Sequence, residues 1–182
     1  MNQKYLHRNS NKIPLCVDLD HTLIKTDLLF EHILAMAKKN LWELILILPM
    51  LFINRARFKQ YLVDLVELDV DTLPAREEVV KYLQNAFTNG TDIYLVTGSH
   101  KSLADKIIKR YPFFREAMAT TEDLNLVGPN KAKILVQRFG RKGFDYIGDS
   151  STDLPVWAVA RESLYVGNSK GLIKKIDNLK KT

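Results

Sequence analysis

Residues 13–22 read IPLCVDLDHT and decide the fold. The apolar run IPLCVDL has the length and composition of a strand that is buried on both faces. Asp18 and Asp20 stand where this run ends, and Thr22 follows them. Side chains two apart on a strand share a face, and two neighbouring carboxylates repel, so a cation or a proton must accompany them. The stretch predicts a buried strand that ends in a polar site.

Further strands follow at intervals along the chain. The clearest are DIYLVTG at residues 92–98 and FDYIGD at residues 144–149, with shorter extended pieces predicted at 117–120 and 163–166. Helical spacing of apolar residues separates them, so strand and helix alternate from residue 74 onward. This alternation is typical of an α/β fold, a three-layer α/β/α core with a mainly parallel sheet and helices on both faces.

Residues 28–72 contain helical patterns and no strand. Their most apolar part, LWELILILPMLFI at residues 41–53, is 13 residues long. A spanning helix needs about 20 apolar residues, so we expect a buried helix here, with a helix lying on a membrane surface as the alternative. We therefore divide the chain into a core of residues 1–27 and 73–182 and a helical insertion of residues 28–72.

Composition and charge exclude several classes of protein. The single cysteine, Cys16, rules out a disulfide scaffold within one chain and a cysteine-rich zinc site. Lys and Arg number 27 against 21 acids, a net charge of +6. Residues 170–182 concentrate lysines, which indicates a solvated terminal helix, with nucleic acid or anionic lipid as alternative contacts. Away from that tail no basic stripe is interleaved with aromatics, so a nucleic-acid role is the least favoured.

Polar residues follow three of the predicted strands. Because ligands bind beyond the carboxyl ends of parallel strands, we expect these residues and one lysine at a helix start to meet in one crevice. Taken singly, each motif is as typical of a turn, a capped helix or a surface charge. Oxygen ligands without His or Cys suit Mg²⁺, and a threonine with a lysine suits a phosphoryl group. The residues concerned are Asp18, Asp20, Thr22, Thr97, Gly98, Lys131, Asp149 and Asp153.

Together these motifs resemble the haloacid dehalogenase (HAD) superfamily in its phosphatase branch. DLDHT at residues 18–22 resembles the family's first motif, D-x-D-x-T, and GDSSTD at residues 148–153 its fourth. Thr97 matches the second motif. Two lysines, Lys131 and Lys133, are candidates for the third motif. The family's usual K-x-x-x-L spacing selects Lys131, which stands four residues before Leu135. The resemblance implies a Rossmann-like core with a helical C1-type cap, inserted after the first strand.

The same resemblance implies a role for each matched residue. Asp18 is the expected nucleophile, and Asp20 the expected general acid and base, with Thr22 orienting it. Thr97, Gly98 and Lys131 are expected around the phosphoryl group. Mg²⁺ is the expected cofactor. Its implied ligands are the Asp18 carboxylate, the Asp20 carbonyl oxygen, Asp149 and, through water or a neighbouring contact, Asp153.

A closer resemblance concerns the HAD-like domain found ahead of UbiA-type prenyltransferases in some bacterial proteins. Together with the apolar insertion, it suggests a Mg²⁺-dependent phosphatase for a hydrophobic or lipid-linked phosphomonoester. The alternatives are a small-metabolite phosphatase of the phosphoserine type, whose cap would offer Arg55 or Arg57 to the substrate, and a non-catalytic module that docks on membranes. We expect a cytoplasmic location with peripheral contact at the inner face of the membrane.

Overall fold

The computed structural model describes residues 13–179, with residues 55 and 56 described by their backbone alone. The polar N-terminal residues, the side chain of Arg55 and the lysines at 180 and 181 therefore lie outside the described part. Five strands form one sheet in the order β3-β2-β1-β4-β5, and every pairing is parallel. Their bounds are β1 Leu15–Val17, β2 Ile93–His100, β3 Phe114–Thr120, β4 Asp145–Gly148 and β5 Ser163–Tyr165.

The central strand β1 sets the position of the crevice. Val17 pairs with Leu95 of β2 on one side and with Ile147 of β4 on the other. The chain runs outward through β2 and β3 first and then returns to fill the opposite side with β4 and β5. The strand order therefore reverses at β1, and ligands of open parallel sheets bind at such a reversal. The predicted α/β fold is confirmed.

Helices cover both faces of this sheet. On one face the apolar side chains of β1 and β2 pack with helices α5 and α6, and on the other face Cys16 and Tyr146 pack with α7, α8 and α9. Alternate residues of each strand supply the two faces, as the pleat requires. These helices are α5 Glu77–Thr88, α6 Lys101–Arg110, α7 Pro129–Phe139, α8 Leu154–Val159 and α9 Lys170–Leu179.

Four helices lie between β1 and the helix that leads into β2. They are α1 Leu28–Lys39, α2 Leu41–Ile47, α3 Met50–Ile53 and α4 Arg55–Leu65. Asn40 and Asn54 separate them: each is extended, and each side chain accepts a hydrogen bond from the backbone N–H three residues ahead. Met36, Phe58 and Leu62 are fully buried in a core of their own among these helices.

The two ends of this helical segment are tied together. Ile24 and Ala75 form an antiparallel bridge, the Lys25 N–H donates to the Pro74 carbonyl at 2.8 Å, and the Arg76 N–H donates to the Leu23 carbonyl at 2.8 Å. The segment therefore begins and ends at the same place on the core, as an insertion into a fold must.

Some predicted boundaries differ from the structure. β1 is shorter than predicted, because the chain leaves the strand after Val17 and turns over Leu19–Leu23. β3 begins at Phe114, well before the predicted residue 117. Helix α7 begins at Pro129, and Gly128 precedes it with φ +52°, a left-handed conformation that glycine adopts at low cost.

Within residues 13–179, no helix is both long enough and apolar enough to cross a bilayer.

Candidate functional site

Asp18 occupies the first position after the central strand. Its N–H still donates to the Ile147 carbonyl of β4 at 3.0 Å, so the strand geometry holds its backbone. The irregular turn over Leu19–Leu23 follows and contains His21 at φ +55°, and the Arg76 guanidinium donates to the His21 carbonyl at 3.0 Å. This turn, rather than a continued strand, carries Asp20. The predicted shared strand face of Asp18 and Asp20 is therefore wrong, although both line the same cleft.

A buried lysine is bound to Asp18. The Lys131 ammonium, on the first turn of α7, donates to Asp18 Oδ1 at 2.8 Å and to the Tyr146 hydroxyl at 2.9 Å. Lys131 is 4% exposed and Asp18 is 8% exposed, so solvent hardly screens the pair. The structure thus brings the two predicted residues together from positions 113 apart in the sequence.

Burial shifts the protonation of this pair. It raises the pKa of Asp18 to about 7, although the Lys131 ammonium acts in the opposite direction. Burial alone would lower the pKa of Lys131, but the Asp18 and Asp153 carboxylates outweigh it and raise that pKa above its ordinary value. Lys131 therefore stays cationic. A second cation beside Asp18 would favour its anionic form further.

Asp20 is held by two donors. The Leu28 N–H at the start of α1 donates to Oδ1 at 2.8 Å, and the Ser99 hydroxyl donates to Oδ2 at 2.8 Å. Burial, reinforced by the neighbouring Asp27 carboxylate, still raises the pKa of Asp20. A raised pKa favours the protonated form of this carboxyl, which is the form that a general acid needs.

Asp153 links Tyr146 and Lys131 to the loop after β4. It is 2% exposed, accepts the Tyr146 hydroxyl on Oδ1 at 2.7 Å, and lies 3.6 Å from the Lys131 ammonium. Its other oxygen accepts the N–H groups of Asp149 at 3.2 Å and Ser150 at 3.4 Å. These contacts fix the loop after β4, which carries Asp149.

Asp149 is half-buried and faces the cleft. Burial, followed by repulsion from the Asp153 carboxylate, raises its pKa to about 6. The Thr22 hydroxyl lies 3.5 Å from Asp149 Oδ1, at the outer limit of a hydrogen bond.

A cluster of three carboxylates in this site could hold a metal ion. One oxygen each of Asp18, Asp149 and Asp153 lies within 4.8 Å of the others. All the donors are oxygens, which suits a hard divalent cation such as Mg²⁺. These carboxylates repel one another even beside the Lys131 ammonium, and the raised pKa values of Asp18 and Asp149 reflect their burial and that repulsion. The residues present therefore fit a divalent cation.

These side chains open on one cleft of about 300 Å³ beyond the carboxyl ends of β1, β2 and β4. Gly98 lines it, but the fully buried Thr22 and Thr97 do not. The Thr97 hydroxyl instead accepts the Ser99 N–H at 2.9 Å. The predicted contact of Thr97 with a phosphoryl group stays a prediction.

Ser99 and Lys59 are among the cleft residues that sequence reasoning missed. Ser99 follows Gly98 and belongs to none of the quoted motifs, yet its hydroxyl contacts Asp20. Lys59 enters from α4, and its ammonium donates to the Gly98 carbonyl at 2.5 Å. The sequence signal that could have identified Lys59 is its place among the apolar residues of a predicted helix. Arg57, which the alternative of a small-metabolite phosphatase would offer to the substrate, is exposed and lies outside the cleft lining.

Comparison with known sequences is informative only in part. No protein-family model matches the chain. A protein of Sinorhizobium fredii, uncharacterized protein y4nM, is 35% identical over 157 residues, which cover 86% of this chain. The chain spans only 30% of the length of that relative.

Solved structures are more informative about the fold. A HAD family hydrolase from Salmonella enterica serovar Typhi superposes with a TM-score of 0.63 at 15% identity, over 90% of this chain and 66% of that one. A phosphoserine phosphatase, solved as a phospho-aspartyl intermediate analogue, superposes with a TM-score of 0.61 at 17% identity, over 90% of both chains. The chain has the HAD fold. A Bordetella pertussis protein of unknown function gives 0.68 at 15% identity, over 91% of this chain and 94% of that one.

The HAD fold explains why the motifs lie at these strand ends. Asp18 directly follows the central strand β1, and Asp149 directly follows β4 on one side of it. Gly98 and Ser99 lie among the last residues of β2 on the other side. The descriptions of the matched structures named above do not mention a prenyltransferase. The closer resemblance to the UbiA-associated domain therefore stays a prediction.

Gly148, the last residue of β4 in this HAD fold, leaves room for Asp153. A Cβ atom at position 148 would lie 2.5 Å from Asp153 Oδ2 and 2.9 Å from Tyr146 Cε1. We expect Gly148→Ala to displace Asp153 and to weaken divalent-cation binding about 10- to 100-fold, the usual effect of disturbing the groups behind metal ligands. Isothermal titration calorimetry measures this. Gly171→Ala, with no atom closer than 4.0 Å, is the matched control; equal affinities for the two variants would contradict the expectation.

Proposed function

We propose that this protein is a HAD-type phosphatase that hydrolyses phosphomonoesters through an aspartyl-phosphate on Asp18. One observation carries the proposal: the Asp18 carboxylate, bound to the buried Lys131 ammonium, lies at the end of the central strand in a cleft that Asp20 also lines. A structural neighbour with the same fold was solved as an analogue of a phospho-aspartyl intermediate, which supports this chemistry here.

In the first step Asp18 is the nucleophile. One of its carboxylate oxygens forms a bond to phosphorus while the bond from phosphorus to the ester oxygen breaks. Asp20 gives its proton to that departing oxygen, so the leaving group departs as an alcohol. Burial raises the pKa of Asp20 and so favours the protonated form that this step needs, while the Leu28 N–H and the Ser99 hydroxyl hold its two oxygens in place.

In the second step water regenerates the carboxylate. Asp20, now ionised, takes a proton from a water molecule whose oxygen attacks phosphorus, and the bond from phosphorus to Asp18 breaks. Inorganic phosphate leaves, and Asp18 and Asp20 return to their starting forms. Lys131 lies within reach of the Asp18 oxygen throughout and offsets negative charge on the phosphoryl group.

Mg²⁺ is the cofactor that this donor set supports best. Asp18 and Asp149 would hold it directly with the Asp20 carbonyl oxygen, and Asp153 would hold the loop that carries Asp149. A bound Mg²⁺ would neutralise charge between the Asp18 carboxylate and the incoming phosphate. Without it, an anionic substrate would approach a cleft lined by five aspartates and two lysines.

Metal affinity is expected to fall as the pH falls. The pKa of Asp18 is about 7 and that of Asp149 is about 6 in the metal-free protein, so both must lose protons to act as ligands. Binding is then fully favourable above pH 7 and weakens progressively below it. Between pH 8 and pH 5.5 we expect a drop in Mg²⁺ affinity of about 100-fold.

Calorimetric titrations across that pH range test this expectation. Asp18→Asn removes one of the two titrating ligands, so its affinity should be lower and its pH dependence shallower. An affinity for the unaltered protein that stays constant from pH 8 to pH 5.5 would contradict the proposed ligands.

The helices of residues 28–72 would act as the cap of this enzyme over a core of residues 1–27 and 73–182. Two contacts support the division: the bridge that ties the ends of the insertion together, and the reach of Lys59 from α4 to the Gly98 carbonyl. Lys59 also places a positive charge near Asp20. A small, anionic phosphomonoester is therefore the first substrate class to examine, with phosphoserine among the candidates.

A lipid-linked phosphate is the second candidate. The observation that favours it is the set of exposed apolar side chains on α2 and α3, which would suit a protein that works at a membrane. Such an enzyme would prefer a phosphate presented in vesicles or micelles over a soluble one. A screen that includes both kinds of substrate distinguishes the two candidates.

Hydrolysis of a generic aryl phosphate tests the proposed function directly. We expect turnover with Mg²⁺ and its loss in EDTA, restored by excess Mg²⁺. Absence of turnover on aryl, metabolite and lipid phosphates by folded protein that binds Mg²⁺ would instead indicate a binding module on the HAD fold.

A further inference from the structure

The segment Leu41–Ile53 exposes an apolar surface that the fold does not use. Trp42 and Leu46 are each 78% exposed, Phe52 is 87% exposed and Ile53 is 84% exposed. Single exposed apolar residues are ordinary on protein surfaces, but a group on successive turns of one segment marks an interaction site. We call these four residues the apolar face.

The opposite side of the same segment already serves the protein core. Leu44 and Ile47 are buried there against Phe58 and Leu62. Helices that stand on the surface of a protein normally turn a polar side to water. This segment is apolar on both sides, so packing of the insertion does not account for the apolar face.

Basic residues flank the apolar face at both ends. Residues 38–57 contain four basic residues and one acid, and Lys38 and Arg57 are both exposed. An apolar strip with Trp and Phe, bordered by Lys and Arg, is the composition of helices that lie in the headgroup region of anionic membranes. A second copy docked face to face would bring like charges together, which disfavours that occupant.

The length of the segment agrees with a position in the membrane surface. Even as one continuous helix, thirteen residues would extend about 20 Å, whereas the hydrocarbon core is about 30 Å thick. The segment can therefore lie along the interface but cannot span it. Its buried side would remain packed on α1 and α4 while the apolar face enters the lipid.

We propose that the apolar face docks the protein on the surface of an anionic lipid bilayer. The four side chains of the apolar face enter the boundary between headgroups and acyl chains. Lys38 and Arg57 face the lipid phosphates. This contact is independent of turnover, so it holds or fails separately from the phosphatase activity.

Tryptophan fluorescence of the full chain with vesicles tests the docking. The chain has two tryptophans; Trp157 is 1% exposed, so Trp42 reports the contact. With equimolar phosphatidylcholine and phosphatidylglycerol we expect a blue shift and co-sedimentation, and with phosphatidylcholine alone much weaker binding. Phe52→Glu should lower the partition coefficient at least about tenfold, and Lys38→Gln about fivefold.

Tyr82→Glu is the matched control. Tyr82 is a 47% exposed aromatic residue on α5, beside Ile13 and Leu15 at the opposite end of the sheet. Its replacement should leave vesicle binding unchanged, and thermal unfolding verifies that each variant is folded. Failure of the folded chain to bind anionic vesicles overturns the proposal. So does a dimer, seen by light scattering, that Phe52→Glu dissociates while no lipid binds, because a second copy would then cover the face.

Discussion

Asp18→Asn is expected to lower kcat for phosphomonoester hydrolysis by about 10⁴-fold or more, the largest effect of any single substitution in the site. The amide keeps the size of the carboxylate but cannot form the phosphoryl bond. Its oxygen can still accept from the Lys131 ammonium, which also keeps Asp153 nearby at 3.6 Å. Steady-state kinetics at saturating Mg²⁺ measure the loss, and urea unfolding should show that the variant remains folded.

Asp27→Asn is the matched control for this substitution. Asp27 lines the same cleft, and its side chain caps α1 by accepting the Phe30 N–H at 2.9 Å. Asparagine caps helices as well as aspartate does, so the fold should be kept. We expect kcat to change less than about tenfold, since Asp27 acts on the proposed general acid through its charge, which raises the pKa of Asp20. Comparable losses in the two variants would mean that Asp18 has no special role.

Lys131→Met is expected to reduce both activity and stability. The substitution leaves Asp18 and Asp153 buried without their shared cation, and loss of one partner of a buried ion pair costs about 3–5 kcal/mol of unfolding free energy. Activity should fall on the order of 10³-fold, because the same ammonium offsets phosphoryl charge. Urea unfolding of the metal-free protein and kinetics on aryl phosphate measure the two effects.

The stability loss has an expected pH dependence. The pKa of Asp18 is already about 7 beside Lys131, and removal of the ammonium raises it further. When the pKa of an acid is higher in the folded state than in the unfolded state, the protein loses stability as the pH rises from the lower pKa to the higher one. Above pH 7 the free energy of unfolding of Lys131→Met therefore continues to fall, while Asp18 no longer lowers that of the unaltered protein. The difference between the two free energies increases with pH.

Lys133→Met provides the control on the same helix. Lys133 is exposed and is the other lysine of the NKAKIL motif, so its removal should change stability by less than about 0.5 kcal/mol. A destabilisation of Lys131→Met no greater than this would show that the buried pair does not hold the site together.

The parts of the structure that sequence could predict are those with local signals. The runs around Val17, Leu95 and Ile147 are apolar and short, and they are the three central strands. Helical spacing and the parallel strand ends then predicted which residues would meet. The spacing between Lys131 and Leu135 also chose between two lysines, and Lys131 is the one that contacts Asp18.

The parts that it could not predict depend on contacts between distant segments. The end of β1 at Val17 depends on a turn closed by the Ile24 N–H and the Leu19 carbonyl, and that turn takes Asp20 off the strand. The partner of Asp20 is Ser99 from another strand, and no spacing rule distinguishes Ser99 from Thr97.

The insertion shows the same limit. Lys59 contacts Gly98, 39 residues further along the chain, and only the packing of α4 on the core brings them together. The apolar run of residues 41–53 indicated a buried helix, but its pattern is equally apolar on both sides. Which side would be covered depends on α1 and α4, so the exposure of Trp42 and Phe52 became visible only in the fold.

The most direct test of the account is to look for the phosphoryl group on Asp18 itself. The protein is mixed with Mg²⁺ and a phosphomonoester that it turns over, quenched in acid within one turnover, digested and examined by mass spectrometry. We predict one phosphoryl group on the peptide that contains Asp18, located on that residue by fragmentation and absent from Asp18→Asn. Turnover in which Asp18 never carries phosphate, or in which another residue carries it, would contradict the central claim.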